Sequence, residues 1–73
     1  MNGINEYDLV KSIIEKYPKM SYSARKIRYI LWKQGYDINH NKINHILLKM
    51  KNEGYIKIFK ETKNKVIYIK ASR

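Results

Sequence analysis

The chain has 73 residues, enough for one domain with one small core and no room for a separate catalytic lobe, so residues 1–73 are read as a single domain. With 44% hydrophobic and 30% charged residues, one Pro and three Gly, the composition is that of a folded domain rather than a disordered tail. The absence of Cys excludes disulfides, thiolate zinc sites and a thiol nucleophile, and sixteen Lys and Arg against six Asp and Glu leave a formal net charge of +10. Such an excess on a small body sets up a long-range positive field that favours polyanions, nucleic acid first and an anionic membrane surface second.

In chain order, Asn5 caps a first helix in which Val10, Ile13, Ile14 and Tyr17 recur at the spacing of one helical face, and Pro18 stops it. Ser21 or Ser23 caps a second helix with an apolar stripe of Ala24, Ile27, Ile30 and Leu31, ending at Gly35. Ile38 precedes Asn39, the cap of a third helix over 39–53, where Ile43, Leu47 and Met50 fall at four- and three-residue steps before Gly54. The period then changes. Tyr55 to Phe59 and Val66 to Lys70 are β-branched, aromatic and roughly alternating, and residues 60–65 between them read as a hairpin loop. The expected class is therefore α+β, three helices followed by a C-terminal β-hairpin.

If Ile43, Leu47 and Met50 face inward, the third helix turns outward His40, Asn41, Lys42, Asn44, His45, Leu48, Lys49 and Asn52. Amides, imidazoles and amines on one face suit a nucleic-acid groove, because Asn can pair bidentately with adenine and Lys can reach guanine edges or phosphates. On the second helix Ser23, Arg25, Lys26 and Arg28 are candidates for phosphate contacts, which position without specifying. In the loop, Lys60, Lys63, Asn64 and Lys65 form a basic tip able to reach a neighbouring groove or backbone.

The run Ile38-Asn39, Ile43, Leu47, Met50, Gly54-Tyr55-Ile56 resembles the winged helix-turn-helix family of DNA-binding regulators, over about residues 6–70. The resemblance implies a recognition helix at 39–53 placed in the major groove, a wing at 60–65 on the backbone, and a small transcriptional regulator or architectural protein acting on double-stranded DNA. Within the same fold, Lys42 to Leu48 is also similar to the recognition helix of Z-nucleic-acid-binding domains. Asn44 matches that family's Asn, but Leu48 stands where its Tyr belongs, and its wing prolines and Trp are missing. A third reading makes the domain a protein-interaction module or inhibitor whose basic face meets an acidic partner.

Other chemistries find little support in the residues. His40 and His45 are five apart, rotated by about 500° along a helix, so they do not share a face as metal ligands would. No nucleophile and base can be assembled and no Gly-rich phosphate loop exists, so neither an enzyme nor a cofactor or small-molecule ligand is expected. No apolar run approaches the roughly 20 residues of a membrane span, and the opening Met-Asn-Gly-Ile-Asn-Glu lacks the pattern of a signal peptide, so a cytoplasmic protein is expected. Tyr29 and Trp32 lie off the apolar stripe of their helix, and a half-exposed aromatic pair there raises the expectation of a homodimer.

Overall fold

The computed structural model describes residues 5–71; the reading of the opening residues 1–4 falls outside it. The elements run α1 (Glu6–Lys16), β1 (Ser21–Tyr22), α2 (Ala24–Lys33), α3 (His40–Asn52), β2 (Ile56–Glu61) and β3 (Val66–Lys70). The three strands form one antiparallel sheet in the order β1-β3-β2.

Each helix starts where a short polar side chain can take up orphan backbone donors. Asn5 accepts from the amides of Tyr7 and Asp8, Ser23 from that of Lys26, and Asn39 from that of Asn41. Of the two serines offered by the sequence, Ser23 is thus the cap of α2. Two helices end on a glycine in the left-handed region, Gly35 at φ 97° and Gly54 at φ 82°. In both, the glycine amide and the one after it fold back onto the last turn: Gly54 to Lys51 O and Tyr55 to Met50 O, Gly35 to Trp32 O and Tyr36 to Leu31 O, all at 2.9–3.0 Å. A Cβ at either glycine would meet nothing within 4 Å, so the backbone dihedral alone demands Gly there.

The core sits between the helices and the sheet. Val10, Ile13 and Ile14 come from α1, Ala24, Ile27 and Leu31 from α2, and Ile43, Leu47 and Met50 from α3, closed by Ile38, Tyr22, Ile56 and Tyr68. Ile43, Leu47 and Met50 are completely buried, which contributes roughly 1.5–3 kcal/mol each and fixes which face of α3 turns outward.

Four local expectations change. Residues 21–22 form a strand rather than a simple approach to a cap: Ser21 pairs with Ile69 and Tyr22 with Tyr68. Tyr22 is thereby buried, and its hydroxyl donates to Tyr17 O at 2.7 Å, tying the strand to the end of α1. Tyr17 does not extend the buried face of α1; it is the C-cap, at φ −128°, and is 45% exposed, because the helix has already ended at Lys16. Ile30 is only half buried, at the edge of the α2 stripe. Finally, Lys60 belongs to β2 rather than to the loop. The strand shifts register between Ile58 and Lys60, and Lys60 then pairs with Ile67 and Glu61 with Val66. The bulge carries the ladder two residues past Phe59 and leaves that ring 63% exposed. The turn is correspondingly tight, with Thr62 N donating to Lys65 O at 2.8 Å around Lys63 and Asn64.

Candidate nucleic-acid interface

Three elements that are distant in sequence enclose a groove of about 880 Å³. The start of α2 supplies Ser23, Ala24 and Arg25; α3 supplies His40 and Asn44; the hairpin supplies the wall from Lys60 to Tyr68. The local reasons are plain. Gly54 turns the chain back from α3 so that β2 and β3 rise beside it, and the pairing of β1 with β3 brings the start of α2 to the same edge. Eight of the polar residues expected from the sequence to contact nucleic acid meet here: Ser23, Arg25, His40, Asn44, Lys60, Lys63, Asn64 and Lys65.

The electrostatics of this groove are one-sided. Arg25, Lys60, Lys63 and Lys65 line it, against the single carboxylate of Glu61, and among the described residues none of these four cations is in an ion pair. Both α2 and α3 also begin at its wall, so the positive ends of two helix dipoles open toward the same space. The combination is suited to holding anionic oxygens.

The remaining expected residues go elsewhere. Lys42, His45 and Lys49 line a second concavity on the opposite flank of α3, facing Asn5, Glu6 and Tyr7 of the first helix and its cap. There Lys42 Nζ lies 2.9 Å from Glu6 Oε1, and Lys49 Nζ stands 5.4 Å from the centre of the Tyr7 ring. Tyr7 in turn donates its hydroxyl to Glu53, and Tyr55 donates to Glu15. The bond to Glu53, assisted by partial burial, pushes the Tyr7 phenol up to about 12. Burial and the Glu15 bond push the Tyr55 phenol up as well. His40 and His45 accordingly line different concavities, as their five-residue spacing implied, and no cluster of three or more metal-ligating side chains exists among the described residues.

Comparison of the chain with protein-family models, with curated proteins and with solved structures returns no match.

On α2 the four candidates also separate. Ser23 has its oxygen engaged in capping, at 3.2 Å from Lys26 N. Lys26 turns its ammonium back onto Ser21 O at 3.0 Å and over the Tyr22 ring, which makes it a brace between β1 and α2 rather than a free phosphate contact. Arg25 is exposed and lines the groove, whereas Arg28 faces away from it, beside Tyr29 and Trp32. Along the outermost line of α3, between the two flanks, lie Asn41, Leu48 and Asn52, all exposed. Sequence reading missed the role of Glu61 as the one acidic wall of the groove, and the outward turn of Phe59, because both depend on the bulge in β2. Among the described residues no helix is long and apolar enough to cross a membrane.

Proposed function

We propose that this chain is a winged helix-turn-helix protein that binds double-stranded DNA, with no catalytic role. In this reading α3 is the recognition helix, about 20 Å long from its 13 residues, and the β2–β3 hairpin is the wing. The observation that carries it is the groove between them. It gathers four cations, two helix N-termini and two exposed amides, Asn44 and Asn64, on one concave surface of a protein with net charge +10.

The division of labour follows from the chemistry. Asn44 on α3 offers one donor and one acceptor side by side, the pattern that adenine presents in the major groove. Lys63 and Lys65 at the turn and Lys60 in β2 reach the phosphates flanking that groove, as compact charges without a preferred geometry. Arg25 at the start of α2 can take a phosphate bidentately while the helix dipole adds to its field. Thirteen of the sixteen basic residues are Lys, so phosphate contact outweighs base reading and most of the affinity comes from counterion release. This favours an architectural protein or a regulator of modest sequence preference.

The test is a mobility-shift titration on random-sequence duplex DNA at two salt concentrations. If Arg25, Lys60, Lys63 and Lys65 each meet one phosphate, the slope of log K against log salt should be about −3.6. Asn44→Ala should then lower discrimination for adenine-containing sites by about 1–3 kcal/mol while leaving that slope unchanged. Absence of binding even at low salt would overturn the reading.

A further inference from the structure

The outer face of α2 carries Arg25, Arg28, Tyr29 and Trp32 around a third concavity, of about 310 Å³. Both rings are largely in solvent, Tyr29 58% and Trp32 62% exposed, with centroids 6.3 Å apart and planes inclined at 35°. Lys33 Nζ lies 6.0 Å from the Tyr29 ring centre. Leaving two large aromatic rings of a small domain in water needs a reason, because their burial elsewhere would stabilise the fold.

Charge decides what can cover them. No Asp or Glu occurs between Glu15 and Asp37, and two of the chain's three Arg, Arg25 and Arg28, stand beside the rings. A second copy of the chain docking through this face would press Arg25, Arg28 and Lys33 against their own counterparts with no carboxylate between them. That arrangement argues against the homodimer suggested by the aromatic pair alone. The partner that fits is anionic and carries flat rings of its own. Arg rather than Lys at these two positions agrees with this, since a guanidinium both forks onto a phosphate and stacks on a π face.

We infer that the α2 face is a binding platform for single-stranded nucleic acid, with bases stacked on Trp32 and Tyr29 and the backbone phosphates held by Arg25 and Arg28. Base–aromatic stacking tolerates any sequence because every base has a π face, and a cationic rim around exposed rings is the general form of such platforms. Arg25 lines both this concavity and the duplex groove, so the two surfaces are continuous. A duplex held in the groove could then pass an unpaired strand, at an end or a junction, onto α2. Apart from Arg25, which the two share, the platform rests on Arg28, Tyr29 and Trp32 and the duplex reading on Asn44 and the hairpin lysines, so either can fail alone.

Trp32 is the only tryptophan of the chain, so its fluorescence reports directly on the platform. The experiment titrates the full chain with an oligothymidylate of roughly six nucleotides, within the span of one compact binding face, and with an abasic phosphodiester of equal length. In parallel, binding of labelled single strand and of labelled duplex is followed by anisotropy for the wild type, Trp32→Ala, Arg28→Ala and the triple variant Lys60→Ala/Lys63→Ala/Lys65→Ala. The platform predicts quenching by the oligothymidylate well beyond that by the abasic strand. It also predicts an at least fivefold loss of single-strand affinity, on the order expected for one stacked base, in Trp32→Ala. Trp32→Ala should retain duplex binding, and the triple variant should retain quenching while losing duplex. Equal quenching by the abasic strand, or unchanged single-strand affinity in Trp32→Ala, overturns the proposal. So does a sedimentation-defined dimer that Trp32→Ala dissolves, which would assign the face to self-association. Because both rings and Arg28 are exposed, circular dichroism should find these variants folded, and Tyr29→Leu provides a second stacking variant should Trp32→Ala prove otherwise.

Discussion

The two flanks of α3 carry similar side chains and yet differ in what those side chains can do. On the flank toward α1, Lys42 meets Glu6, Lys49 lies over Tyr7, and the phenols of Tyr7 and Tyr55 close onto Glu53 and Glu15. On the flank toward the hairpin, Arg25, Lys60, Lys63 and Lys65 share a groove with only Glu61. Glu6 faces Lys42 and Lys49 on the first flank, whereas a single carboxylate faces four cations on the second, so the hairpin flank keeps more of its positive charge. A net charge of +10 therefore does not say which lysines act; the placement of a few carboxylates does.

The largest effect should come from truncating the residue that holds α3 between its flanks. Leu47 is fully buried, and Leu47→Ala should cost about 2–5 kcal/mol in denaturant unfolding, whereas Asn44→Ala on the hairpin flank should stay within about 0.5 kcal/mol. A destabilised Asn44→Ala would mean that Asn44 supports the core and does not face the groove.

A smaller effect is expected where the chain leaves α3 for the hairpin. Gly54→Val places a β-branched side chain at φ 82° and should destabilise by about 1–2 kcal/mol or somewhat more, with Gly54→Asn milder because Asn tolerates that region. Since open space surrounds the position, equal losses for Val and Asn would point to a cause other than the dihedral.

The smallest effect sharpens the α1 flank. The Tyr7 phenol is raised from 10.0 to about 12, first by its bond to Glu53, so the fold holds that proton more tightly than the unfolded chain does. Its contribution to stability is complete below pH 10 and is lost as the pH rises from 10 through about 12. Urea unfolding measured from pH 8 to 11.5 should show a shallower alkaline decline for Tyr7→Phe than for the wild type. Identical slopes would show that the phenol does not meet Glu53 in solution. The exposed Lys42–Glu6 pair, by contrast, should be worth no more than about 1 kcal/mol.

Much of the fold was legible in the sequence because its signals are local. The caps Asn5, Ser23 and Asn39, the glycines at 35 and 54 and the steps Ile43, Leu47, Met50 act within a turn or two of themselves. The strand at Ser21–Tyr22 was not legible, since two residues carry no period and the pairing partner lies at Tyr68 and Ile69. The bulge that draws Lys60 into β2 is a property of the pairing too. For the site, residue types were readable and directions were not. Asn44 and Lys42 are two positions apart on one helix and look equally suited to a groove. Only the packing of α1 against α3 assigns Lys42 to Glu6, and only the hairpin assigns Asn44 to the groove.

In the proposed mode of binding the hairpin flank, and not the α1 flank, carries the contact to duplex phosphates. It is tested most directly by the salt dependence of duplex binding for Lys60→Ala/Lys63→Ala/Lys65→Ala beside Lys42→Ala/Lys49→Ala. The triple variant should lower the magnitude of the slope by about 2.7 while the Lys42/Lys49 variant leaves it within error of the wild type. A slope reduced by the Lys42/Lys49 variant and unchanged in the triple variant would contradict it and place the duplex on the other side of α3.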